Sequence, residues 1–106
     1  MMKNYYVYIM SNKNRTTIYI GVTNNLLRRV SEHNLNIGSK FVKKYQLYDL
    51  IYYEHFHDIK YAILREKQLK NWHRTWKYNL IKKMNPGLKD LKYLFYGNVD
   101  SETSSE

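Results

Sequence analysis

The sequence predicts a small α+β domain, and three observations predict it. Two short apolar, β-prone segments, residues 5–10 and 17–22, are separated by six polar loop formers. A third apolar run spans residues 47–57. Helical spacing of apolar residues fills the stretches that follow the second and third segments. At 106 residues the chain has material for one modest core. The expected organisation is a single domain over residues 1–96, followed by a disordered acidic tail at 97–106 that lacks core-forming content.

The first two segments read as a hairpin. If its loop is centred on Lys13 and Asn14, Tyr8 lies directly opposite Tyr19 and two phenols project together from one face. A plain aromatic pair that stabilises the hairpin is the alternative. Gly21 closes the second strand, where a missing side chain lets a backbone or a ligand come close.

Thr23 or Asn24 can cap a helix running to about Asn34. Leu26, Leu27, Val30 and Asn34 form its inward stripe. Arg29 and His33, four residues apart, stack beside that stripe and can reach one point in space. Residues 35–46 lose all periodicity and read as a basic loop. There Lys40, Lys43 and Lys44 are mixed with Phe41 and Tyr45, which suits a phosphate backbone with an occasional base to stack on, or a solvated connector with two aromatic anchors.

The third strand, 47–57, is apolar on both faces and reads as the central one. His55 and His57 point to one face, but a pair without a third ligand does not make a zinc site. Asp58 is the expected N-cap of the long segment 59–84. Ile59, Ala62, Ile63, Leu69, Trp76, Leu80, Ile81 and Met84 recur there at helical spacing, with Lys60, Lys67, Arg74 and Lys77 opposite. The stripe breaks near Asn71 to His73, which predicts two helices with a bend. Pro86 and Gly87 stop the second, and residues 88–96 pack as a short terminal element.

Glu66 is the anomaly of that segment, because it stands inside the apolar stripe. A carboxylate there needs a cation, either Lys70 four residues on or a divalent metal such as Mg²⁺.

Charge points to the partner. Eighteen Lys and Arg face only six acids in residues 1–96, a net +12 on the body, because three of the nine acids lie in the last ten residues. That charge fits a polyanion, and nucleic acid is the commonest one. No run of about 18 apolar residues and no signal peptide is visible, so the expectation is a cytoplasmic protein with no membrane partner. Cysteine is absent, which excludes disulfides, thiol catalysis and cysteine-based zinc sites.

Tyr8, Tyr19, Arg29, His33 and Glu66 together contain the parts of a hydrolytic phosphodiesterase. The reaction needs a cation to screen the phosphate, a base for water and a donor for developing charge. Arg29 supplies a planar fork and His33 titrates near neutrality. A phenol with its reference pKa of about 10 is a poor base near pH 7 unless a cation stands beside it.

At these residues the chain resembles the GIY-YIG nuclease family. Tyr19, Ile20 and Gly21 form an intact YIG, and Tyr6, Val7 and Tyr8 stand for GIY with its tyrosine kept and its glycine absent. Arg29, eight residues after the YIG glycine, and His33, four further on, are similar in position to the family's helical arginine and histidine. Glu66 in LREKQLKNW looks like its metal-binding glutamate. Val22 replaces a lysine found in some members, and Asn79 is the nearest match to a late asparagine. The REKQLK, NP and DL elements look like the small stand-alone bacterial members.

The resemblance implies a three-stranded antiparallel sheet flanked by helices. It also implies one Mg²⁺ or Mn²⁺ on Glu66, and single-step hydrolysis of DNA leaving a 5′-phosphate, with Tyr19 or His33 as general base. The expected nucleic-acid contacts are Lys40, Lys43, Lys44, Lys67, Lys70, Arg74 and Lys77, with DNA favoured over RNA. No separate DNA-reading domain is visible, so cutting directed by strand structure, of the kind DNA repair uses, is expected over sequence-specific cutting. A targeting protein partner and a monomer or weak dimer fit that expectation. The rival expectation is a non-catalytic module that binds DNA or structured RNA on the same fold.

Overall fold

The structure, a computed structural model, describes residues 2–94. The tail expected at 97–106 lies outside the described residues. The chain runs β1 (Tyr5–Ser11), β2 (Ile18–Thr23), α1 (Leu26–Asn34), α2 (Lys40–Tyr45), β3 (Asp49–Phe56), α3 (Ile59–Asn71) and α4 (Arg74–Met84). The strands form one antiparallel sheet in the order β2-β1-β3, as the resemblance implies. Among the described residues no helix is long and apolar enough to cross a membrane.

Alternation along β1 builds two cores. Val7 and Ile9 join Ile20, Ile51 and Tyr52 under Ala62 and Leu69 of α3 and Ile81 of α4. Tyr8 and Met10, on the other face, join Leu50 under Leu26 and Val30 of α1 and Val42 of α2. Helices therefore cover both faces of the sheet. Five consecutive buried residues, Val7 to Ser11, mark β1 as the central strand.

That corrects the expectation for β3, which is an edge strand. Its apolar run is buried by later chain rather than by a second neighbouring strand. The Leu91 backbone N–H donates to the Leu50 carbonyl at 2.6 Å, and the Asn85 amide donates to the Ile51 carbonyl at 3.0 Å. An edge covered in this way looks like an interior strand in sequence.

The hairpin register is also two residues from the expected one. Tyr8 pairs with Gly21, and Tyr19 pairs with Met10. The side chain of Asn12 accepts the backbone N–H groups of Thr16 and Thr17 at 2.9 and 3.0 Å, and Arg15 takes a left-handed φ of 60°. The turn is thus centred one residue later than expected. Because the pleat has period two, this slip leaves Tyr8 and Tyr19 on one face.

In α1 the cap is Asn25, whose side chain accepts from the Arg28 N–H, rather than Thr23 or Asn24. Leu26, Val30 and His33 face inward, while Leu27 and Asn34 are exposed. His33 therefore lies within the stripe and not beside it. The basic loop expected at 35–46 contains helix α2, capped by Ser39 and pinned by the buried Val42. Six residues with one inward side chain are too few to show periodicity. Asp58 caps α3 as expected, and extended backbone at Trp72 and His73 separates α3 from α4.

Candidate active site

Tyr8 is the centre of the polar cluster. Its ring lies across Gly21 of the paired strand, where an added Cβ would stand 2.6 Å from the phenol Cζ. Only glycine leaves room for that ring. The Tyr8 hydroxyl accepts from Arg29 Nε at 3.3 Å and stands 3.0 Å from His33 Nε2. Arg29 and His33, one turn apart on α1, thus converge on one oxygen of the sheet. A chain of donors consistent with these contacts runs from Arg29 to Tyr8 and from Tyr8 to His33.

Burial sets the electrostatics. Tyr8 is 1 % exposed and His33 0 %. Burial pushes the Tyr8 phenol up to about 12, against the opposing Arg29 hydrogen bond. Burial, reinforced by the Arg29 guanidinium, pushes the His33 imidazole down to about 4. The Tyr8 hydroxyl and the Glu32 carboxylate hold Arg29 above its ordinary value, so it is a permanent cation. His33 Nδ1 is buried without a hydrogen-bond partner among the described residues.

Tyr19 stands beside this cluster, with its ring centroid 6.3 Å from that of Tyr8 and 5.7 Å from that of His33. It is half-buried and lines a cavity of about 260 Å³ at the β2 edge with Ile18, Ile20, Phe41, Lys70 and Lys77. A second opening on that edge, about 380 Å³, is lined by Val22, Thr23, Asn24, Arg28, Arg29 and Glu32 among others. Tyr19 therefore faces the first opening, a groove at the β2 edge, and Arg29 the second, while Tyr8, His33 and Glu66 line neither.

Glu66 stands on α3 with its side chain 16 % exposed, and Lys70 Nζ lies 3.1 Å from its carboxylate. It makes no hydrogen bond to Tyr8, Tyr19, Arg29 or His33. Its charge nevertheless reaches Tyr8, adding the smallest of the upward influences on that phenol. Among the described residues no three His, Cys, Asp or Glu side chains group as a metal cage. His55 and His57 contact Asn4 and the Lys3 carbonyl instead.

The basic residues divide. Lys70 and Lys77 line the groove, and Lys40, Lys43 and Lys44 are exposed on α2. Lys67 is exposed on α3 and lines neither opening. Arg74 is spent on the fold, donating to the Thr16 carbonyl at 2.6 Å and lying 4.9 Å over the Tyr78 ring. Asn79 is exposed on α4.

Sequence reasoning missed Glu32 and Gly38. Glu32 accepts from Arg29 Nη1 at 2.9 Å and lies 3.8 Å from Arg28 Nε, spacings of three and four that a helix brings together. Gly38, at φ +103°, backs the same guanidinium, and an added Cβ would lie 3.0 Å from Nη1. Its signal was a lone glycine within NIGS.

Comparison with known proteins identifies the family. Residues 4–79 match the family model described as the GIY-YIG catalytic domain. A UPF0213 protein of Pediococcus pentosaceus is 34 % identical over 92 residues, covering 87 % of this chain and 96 % of the relative. A UPF0213 protein of Syntrophus aciditrophicus is 37 % identical over 87 residues, covering 81 % and 97 %. The solution NMR structure of the UPF0213 protein BH0048 from Bacillus halodurans superposes with a TM-score of 0.54 at 25 % identity, covering 86 % of this chain and 96 % of that one. With the YIG strand, the Tyr8–Arg29–His33 cluster and a match over residues 4–79, the chain belongs to the GIY-YIG family as a small stand-alone member.

Proposed function

We propose that this chain is a metal-dependent endonuclease that hydrolyses phosphodiester bonds in DNA, directed by strand structure rather than base sequence. The observation that carries this reading is the convergence of Arg29 and His33 on Tyr8, beside Tyr19, at the edge of a groove that Lys70 and Lys77 make basic. Lysine contacts to phosphate position a strand and carry no base information, which favours recognition of shape.

The donor set fits a hard cation. Mg²⁺ commonly uses one or two protein carboxylates, water and substrate phosphate, and Glu66 offers one carboxylate that already holds an ammonium group. Glu66 would hold Mg²⁺ or Mn²⁺, which when bound screens the phosphate and stabilises the leaving oxygen. Lys70, about half exposed, is free to swing away from it.

The other roles belong to the chain itself. Arg29 Nε and Nη1 are committed to Tyr8 and Glu32, and Nη2 has no hydrogen-bond partner among the described residues. That nitrogen would bind a non-bridging phosphate oxygen and meet the charge that grows there. Water attacks phosphorus, the bond to the 3′-oxygen breaks, the leaving 3′-oxygen takes a proton from solvent, and the strand ends in a 5′-phosphate and a 3′-hydroxyl.

Tyr19 is the group we assign as general base for the attacking water. His33 is fully buried and out of reach of water. Burial raises the Tyr8 phenol and lowers the His33 imidazole, so passing the Tyr8 proton to His33 runs uphill. Tyr8 and His33 therefore act as neutral groups that hold Arg29 in place.

One observation favours a second reading, a non-catalytic nucleic-acid-binding module. The carboxylate that would hold the metal is paired with Lys70. Incubation with supercoiled plasmid separates the two. The nuclease reading expects open-circular product in Mg²⁺ and none in EDTA. Salt-sensitive binding without metal-dependent nicking, on plasmid, branched and single-stranded DNA alike, would establish the module instead.

A further inference from the structure

We infer that Tyr19, Phe41 and Tyr45 form a stacking platform for unpaired nucleotides of a DNA strand beside the scissile phosphate. This names the substrate class and rests on the nuclease reading above.

The platform is a row of rings. The Phe41 centroid lies 6.3 Å from that of Tyr19 at an interplanar angle of 34°, and 4.7 Å from that of Tyr45 at 50°. Tyr19 begins the row next to Tyr8 and His33, and Tyr45 ends it on the outer face of α2. Phe41 is 44 % exposed and Tyr45 40 %. Both side chains are therefore open to solvent, while Val42 between them fixes the helix to the core.

Charge supplies the second half of the argument. Lys40, Lys43 and Lys44 share the helix with the two rings, and Lys44 Nζ sits 5.3 Å over Tyr45. Lys70 and Lys77 line the cavity between Tyr19 and Phe41. From His33 to Tyr48 the chain contains no acidic residue. A cationic surface bearing open aromatic faces matches a polyanion that carries π-faces of its own.

Duplex DNA buries those faces in its stack, so only unpaired bases can use the platform. The cavity, at about 260 Å³, is below the roughly 300 Å³ at which sites begin to enclose a drug-sized ligand, and suits a flat ring. Because the row starts at Tyr19, the stacked nucleotides are those adjoining the bond to be cut.

The test measures binding in EDTA, so that cleavage plays no part. Fluorescence anisotropy with a twelve-nucleotide deoxythymidine strand and a blunt duplex of equal length should show the single strand bound more tightly. Phe41→Leu and Tyr45→Leu should each weaken single-strand binding about five- to a hundredfold and leave duplex binding unchanged. Both should also remove the quenching of a 2-aminopurine placed in the strand. Phe41→Tyr, which keeps a ring, should restore both readouts. Lys43→Gln should instead weaken both substrates and lower the salt slope by about one.

Wild-type affinity and quenching in the two leucine variants would overturn the platform, as would equal losses on strand and duplex. Tighter binding of the matching RNA strand would overturn the assignment to DNA. An absence of plasmid nicking, by contrast, would count against the nuclease reading without touching these binding results. Both side chains lie on the surface, and thermal unfolding of each variant checks that the fold is intact.

Discussion

On β1, Val7 and Ile9 point to one face of the sheet, and Tyr8 and Met10 to the other. The first face buries aliphatic side chains and the Tyr52 ring beneath α3 and α4, and the Tyr52 hydroxyl is satisfied by Glu54, which Arg65 holds in turn. The second buries a phenol and an imidazole, with a guanidinium at their edge and one ring nitrogen that has no hydrogen-bond partner among the described residues. An orphaned buried polar group costs about 1–3 kcal/mol, so the second face carries a burden the first avoids. The difference separates what holds the protein together from what the groove requires.

Mutations should divide along that line. The largest effect on stability is expected on the dry face, where Leu69→Ala should cost about 2–5 kcal/mol and lower Tm accordingly. Cleavage per folded molecule should stay near the wild-type rate. Arg29→Lys should do the reverse, cutting the cleavage rate about 100- to 1000-fold while shifting Tm little, because lysine cannot keep two anchors and a phosphate contact at once.

Stability against pH sharpens the contrast. His33 has a folded pKa of about 4, below the ordinary 6.5, so its contribution is complete above 6.5 and is lost as the pH falls through 4. Tyr8, at about 12 against 10, contributes fully below pH 10 and loses that contribution as the pH rises through 12. Each limb is worth up to about 3 kcal/mol in urea unfolding. Cleavage should show no inflection from His33 between pH 5 and 8, whereas a solvent-facing histidine base would give one near 6.5.

The smallest stability change is expected for His33→Phe. It removes the acceptor for Tyr8 together with the orphaned nitrogen, and unfolding free energy at pH 7 should stay within about 1 kcal/mol of wild type. The acid limb should disappear, and cleavage should fall as Arg29 loses its fixed support.

Much of the dry face could be read directly from the chain. Long helices with a recurring apolar stripe announce themselves, and the break at Trp72 and His73 followed from an interruption in that stripe. The groove face was harder. Arg29 and His33 were readable as neighbours on a helix, but the target of both, the Tyr8 hydroxyl, depends on a pairing with Gly21 that the loop length alone misplaced. A side chain of Asn12 set that pairing, and no periodicity reports it. Helix α2 escaped notice because Val42 is its single buried residue. The role of β3 was misjudged because the cover over its edge comes from residues 85–91, far along the chain. Local patterns reveal elements, while contacts distant in sequence decide how those elements meet.

The central claim is that the groove cuts DNA with a metal held by Glu66, and Glu66→Gln tests it most directly. Plasmid nicking in Mg²⁺ and DNA binding in EDTA should be measured on the same preparations of wild type and variant. The account predicts nicking reduced at least about a hundredfold, with binding within about threefold of wild type. Nicking by the variant at the wild-type rate would contradict it.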